Sequence, residues 1–105
     1  MTINQDILLI KDKIVEAVAV EKVYLFGSYA YGTPNGDSDY DFYIVIPDDS
    51  ESPAQITRKV YKALRGLKRK PVDILVGYAS NFENRTSLST LERTIKREGV
   101  MLYEQ

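Results

Sequence analysis

An α/β (α+β) chain, with a small mixed sheet of three to four strands and helices packed on it, is what this sequence predicts. Three observations predict it. Helical and strand periodicities interleave in the order α, β, short α, β, α, β, α and a closing candidate strand. The segment 47–71 is long enough to return the chain parallel to the strand before it. At 105 residues, 44% apolar and 28% charged, the chain has the length and composition of one compact domain, expected to span 1–105.

The first element follows from Ile3, Ile7, Ile10, Ile14 and Val18, which recur at helical spacing over residues 3–20 with Lys11, Asp12, Lys13 and Glu16 between them. Residues 23–26 are a short apolar run closed by Gly27, read as a buried strand, and a short helix begins at Ser28. Asn35-Gly36 is a turn signal. In the next strand Tyr40, Phe42, Ile44 and Ile46 alternate with Asp41, Tyr43 and Val45, and Pro47 ends it. Tyr24, Tyr40 and Tyr43 are expected to pack at the sheet. After an acidic loop over 48–51, Ser52-Pro53-Ala54-Gln55 has the form of a capping box with proline at the first helical position. Ile56, Val60, Ala63, Leu64 and Leu67 then make the buried face of a helix. Lys68, Arg69 and Lys70 suit its negative end, and Pro71 stops it.

Residues 72–76 read as a third strand, apolar except for Asp73, with Val72, Ile74, Leu75 and Val76 expected inside. Residues 81–87 are read as a loop or a frayed turn. Leu88, Leu91 and Ile95 mark a last helix, in which Glu92 and Lys96 are an i,i+4 pair and Gly99 the stop. Residues 100–103 are the candidate edge strand.

Several chemistries are excluded at once. Without cysteine there are no disulfides, thiolate metal sites or thiol nucleophiles. Without histidine there is neither the commonest general base nor an imidazole ligand. Catalysis would have to use carboxylates, hydroxyls, Lys, Arg or bound ions. The net charge of −1 gives no general attraction to nucleic acid or membrane. No apolar run reaches the length of a membrane span, and the first residues lack the pattern of a secretion signal, so a cytoplasmic protein is expected.

The unusual feature is acid at every other position entering a core strand: Asp37, Asp39 and Asp41. Asp is a poor strand residue, and alternation places these carboxylates on one face. At about 7 Å apart, two of them repel by roughly 2 kcal/mol at an effective dielectric near 20. A divalent cation converts that cost into binding energy, and an oxygen-only donor set suits Mg²⁺. If the second and third strands are parallel neighbours, Asp73 joins the same end of the sheet. So does the turn at Gly27-Ser28, where a glycine permits close backbone approach and a serine can offer its hydroxyl and backbone N–H to an anion. A phosphate-cradling turn facing a metal-binding pair is the equipment of phosphoryl or nucleotidyl transfer.

Gly27-Ser28, ten residues, then Asp39-Tyr40-Asp41, with a later strand aspartate at Asp73, resembles the minimal nucleotidyltransferase (MNT) family of the DNA polymerase beta-like superfamily. The likeness runs from the first helix to the closing REGVMLYE. It implies a nucleotidyltransferase core in which Asp39 and Asp41 ligate two Mg²⁺ ions. Asp73 would ligate the catalytic metal and help accept the proton of the attacking hydroxyl. Gly27 and Ser28 would hold the β and γ phosphates of ATP. Many relatives carry an arginine in the turn, as in G-S-x-A-R-G, where this chain has Tyr31 in GSYAYG. Stand-alone members of this size are typically antitoxins of HEPN-domain RNase toxins, which they neutralise by transferring AMP to a toxin tyrosine. The resemblance therefore implies a HEPN toxin as partner and protein substrate. Two alternatives stay open: a non-catalytic antitoxin acting by steric binding, and an enzyme acting on a small hydroxyl compound such as an aminoglycoside. Arg58, Lys59, Lys62, Arg65, Lys68, Arg69 and Lys70 are half of all the chain's Lys and Arg. They are read as one solvated helix face, with nucleic-acid binding not favoured.

Overall fold

The computed structural model describes residues 3–32, 34, 38–67 and 70–105. The turn expected at Asn35-Gly36, together with Asp37, Lys68 and Arg69, lies outside the described residues. In chain order the elements are α1 (Gln5–Ala17), β1 (Lys22–Phe26), α2 (Ser28–Tyr31), β2 (Tyr40–Ile46), α3 (Pro53–Ala63), β3 (Val72–Tyr78), α4 (Ala79–Thr86), α5 (Leu91–Glu98) and β4 (Val100–Glu104).

The four strands form one mixed sheet in the order β3-β2-β1-β4. β1 runs antiparallel to both β2 and β4, while β2 and β3 are parallel, as the length of the 47–71 connection requires. Asn4 caps α1, its side chain accepting from the Ile7 N–H at 2.9 Å. Ser52 caps α3 by accepting from the Gln55 N–H at 3.2 Å, while the Gln55 side chain accepts from the Ser52 hydroxyl at 3.4 Å and does not reach back to its N–H, so the N-cap forms without the full capping box. One face of the sheet carries α1 and α3. Ile7, Ile10, Ile14, Ile56, Val60 and Leu64 bury against Val23, Leu25, Phe42, Ile44 and Ile46 in the larger core. A smaller core on the opposite face joins Tyr24, Tyr43 and Val45 to Phe82 of α4 and Ile95 of α5.

Five expectations need correction. Residues 81–87 are not a loop: most of them belong to α4, whose one buried residue, Phe82, left no apolar period to read. Leu88 precedes α5 and is 56% exposed, so it does not mark that helix's buried face. Leu75 is 39% exposed rather than inside, because β3 is an edge strand and α4 and α5 leave its position uncovered. Glu92 and Lys96 do not pair along α5. Glu92 meets Arg85 at 3.0 Å, and Lys96 meets Glu83 at 2.9 Å, so both charges tie α5 to α4 instead. Helix α3 ends at Ala63 with Leu64 as its C-cap, and the chain turns at Gly66 with a left-handed φ of 81°, so the helix does not run through Leu67 to Pro71. The other elements are of the expected type, and Tyr24, Tyr40 and Tyr43 are all buried.

Candidate functional site

The parallel pairing of β2 with β3 does the assembling. Asp41 and Asp73 are register partners, second in their respective strands, so both project from the face that α4 and α5 only partly cover. Phe26, the last residue of β1, is the partner of Asp41 on its other side. The chain must therefore turn over Asp41 as it leaves β1, and Gly27 makes that turn. Its φ of 73° and ψ of −159° are accessible in practice only to glycine. A Cβ placed there would stand 2.1 Å from Asp41 Oδ2. The glycine is thus required twice, by its backbone angles and by the carboxylate lying against it. α2 follows as a single turn, its Ala30 and Tyr31 N–H groups donating to the Gly27 carbonyl at 3.0 Å each. Tyr29 packs inward on Tyr40 with ring centroids 4.8 Å apart, while Tyr31 stands 43% exposed.

Burial is the main cause that lifts the Asp41 carboxyl to about 6; the charge of Asp73, a hydrogen bond with Asp73 and the charge of Asp39 add to it. Asp41 and Asp73 stand side by side as register partners, one partly buried and the other exposed to solvent. Asp39 lies just before β2 and acts on Asp41 through its charge alone. Among the described residues no three acidic side chains close into a single ligand group. The pair Asp41 and Asp73 fits a magnesium ion by donor chemistry: hard oxygens, like charges held together, and open space beside them for water or phosphate. Asp39 stands outside that pair in this arrangement.

Sequence reasoning missed what supports the pair. Tyr43, two residues along from Asp41 on the same face, lies across Gly77, where a Cβ would come within 2.5 Å of its hydroxyl oxygen. Its ring packs on Phe82 at 5.2 Å, and its hydroxyl donates to Glu92 Oε2 at 3.1 Å. Glu92 is held in turn by Arg85. This chain of contacts anchors α4 and α5 over the far half of the face and leaves the half bearing Asp41, Asp73 and Leu75 open. Only the alternation 41, 43, 45 hinted at it.

The model of the nucleotidyltransferase domain family matches residues 8–101. Several solved structures share the fold. A Sulfolobus solfataricus protein assigned to the nucleotidyltransferases aligns with a TM-score of 0.66 at 20% identity, over 96% of this chain and 79% of that one. A toxin–antitoxin complex with AMP-PNP aligns at 0.56 and 19%, over 97% and 75%. A MntA–HpeT toxin–antitoxin variant with two Asp→Glu substitutions aligns at 0.56 and 17%, over 98% and 75%. No curated protein matches the chain.

Proposed function

Because this chain belongs to the nucleotidyltransferase domain family, we propose that it is a magnesium-dependent nucleotidyltransferase that moves AMP from ATP to a tyrosine of a HEPN RNase toxin. In this reading it acts in the cytoplasm as the antitoxin of that toxin. One observation carries the chemical part: the Gly27 turn lies against the carboxylate of Asp41, which is the register partner of Asp73 on the neighbouring strand. The likeness to toxin–antitoxin complexes, one of them holding AMP-PNP, supports the biological part.

Each residue then has a task. Gly27 brings backbone close enough to hold the β and γ phosphates, with the Ser28 hydroxyl beside it. Asp41 and Asp73 would hold a magnesium ion, and Asp39, the residue before β2, would supply the further carboxylate for a two-ion site. Magnesium bound there would neutralise the triphosphate and the departing pyrophosphate. A carboxylate oxygen of Asp73 receives the proton of the attacking phenol. The phenolic oxygen bonds to the α-phosphorus as the bond to pyrophosphate breaks, leaving AMP esterified to the tyrosine.

The test is intact-mass measurement of the toxin after incubation with this chain, ATP and Mg²⁺. The expected result is an increase by whole AMP groups, absent with Asp73→Asn. A toxin that is bound but unmodified would overturn the enzymatic reading. So would full neutralisation in cells by the Asp39→Asn, Asp41→Asn double variant, which would leave a steric antitoxin.

A further inference from the structure

The sheet order separates the two reactants. The Gly27 turn follows β1 and lies over Asp41 of β2, so the phosphates belong on the β1 side of the carboxylate pair. Asp73 is on β3, beyond which no strand lies among the described residues. The acceptor must then reach Asp73 from that open edge. The next residue of β3 on the same face is Leu75, about 6.6 Å further along the strand. It is 39% exposed, although its register partner Tyr43 is buried. The contrast has a visible cause: Tyr43 leans over Gly77 towards Phe82 and Glu92, so the helical layer stops short of Leu75.

We propose that Leu75 is the seat of the acceptor ring, a positioning residue that selects a phenol over an aliphatic or sugar hydroxyl. The proposal rests on the nucleotidyl-transfer reading and deepens it. A polyhydroxylated acceptor has little apolar surface free of hydroxyls to lay on a leucine, and covering Leu75 with it would strip water from groups that find no partner there. A tyrosine ring lying on Leu75 buries apolar surface on both sides and directs its hydroxyl along the strand to Asp73. The tyrosine belongs to a partner protein approaching at the β3 edge. That edge is already guarded at one point by Tyr61, whose hydroxyl accepts from the Ile74 N–H at 3.1 Å and donates to the Val72 carbonyl at 3.3 Å. The partner therefore presents a side chain there and not an added strand over Val72 and Ile74.

The experiment uses the full chain, labelled at leucine methyls and loaded with Mg²⁺ and non-hydrolysable AMP-PNP. N-acetyl-tyrosinamide and N-acetyl-serinamide are titrated in turn. The tyrosine compound should shift the Leu75 methyls in a saturable way through its ring current, and the serine compound should leave them in place. In parallel, AMP transfer from ATP to N-acetyl-tyrosinamide should fall at least tenfold in kcat/KM with Leu75→Asn, mainly through KM, and recover with Leu75→Met. Unmoved Leu75 methyls with AMP-PNP demonstrably bound, or Leu75→Asn as active as the native chain, would overturn the proposal and leave nucleotidyl transfer standing. Failure of AMP-PNP to bind with Mg²⁺ would instead overturn the reading beneath it.

Discussion

Asp41 is a residue whose cost and use are the same thing. Burial and two neighbouring acids raise its carboxyl to about 6, against about 3.9 for an unfolded aspartate. A folded value above the unfolded one means that folding disfavours the charged form. The penalty is complete above about pH 6 and vanishes as the pH falls below about 4. Asp41→Asn cannot ionise, so it should be more stable than the native chain in magnesium-free buffer at pH 7, by about 1 kcal/mol once solvent screening is discounted. The gain should shrink to nothing near pH 4. Urea titration at the two pH values checks this; a native chain more stable than the variant at pH 7 would contradict it. Gly27 makes the opposite prediction. Gly27→Ala adds about 1–3 kcal/mol of backbone strain and drives a methyl into Asp41 Oδ2. Stability should fall by that amount in the same titration. AMP transfer should fall by about 10²-fold, the usual effect of displacing a reacting group by an ångström.

At the scale of the element, the Tyr43–Glu92–Arg85 connection decides how much of the sheet is covered. Burial pushes the Glu92 carboxyl up, but its backbone hydrogen bond, Arg85 and Tyr43 outweigh that and leave it below its ordinary value. A depressed folded value stabilises the fold above the unfolded value near 4.3, and that stability is lost as the pH drops through the folded one. Glu92→Gln should therefore cost about 1 kcal/mol at pH 7. It should also show a shallower loss of stability between pH 5 and pH 3, read from urea midpoints. Parallel pH curves for the two chains would remove Glu92 from this role. The elements also explain what could be read in advance. Strand β2 and helix α3 were legible because each carries its own signal, an aromatic and β-branched apolar run closed by Pro47 in one and a Ser-Pro cap with an apolar stripe in the other. Helix α4 was not, since ASNFENRT offers one apolar anchor, Phe82, and owes its place to packing on Tyr24 and Tyr43. The meeting of Asp41 and Asp73 was legible from the connection length alone. The exposure of Leu75 was not, because it depends on where a neighbouring tyrosine leans.

For the whole molecule, the question is what completes a site that spans three strands. The Gly27 turn comes from the end of β1, Asp41 from β2 and Asp73 from β3, so their arrangement exists only in the folded chain. Anything bound by all three must stabilise the fold, by RT ln(1 + [L]/Kd). The carboxylates repel one another and would repel a free triphosphate as well. Magnesium alone would meet few ligands and ATP alone would meet like charge; bound together, the cation would offset the repulsion between the carboxylates and the phosphates. AMP-PNP with Mg²⁺ at about a hundred times its Kd should add about 2.7 kcal/mol. A chain of this length gains roughly 4–8 °C in Tm for each kcal/mol, so thermal unfolding should move upward by at least about 10 °C. AMP-PNP with a chelator should move it far less, and Asp73→Asn should abolish the combined shift. An equal rise without magnesium would place the nucleotide somewhere other than beside these acids, and would separate the Gly27 turn from the metal chemistry assigned to it.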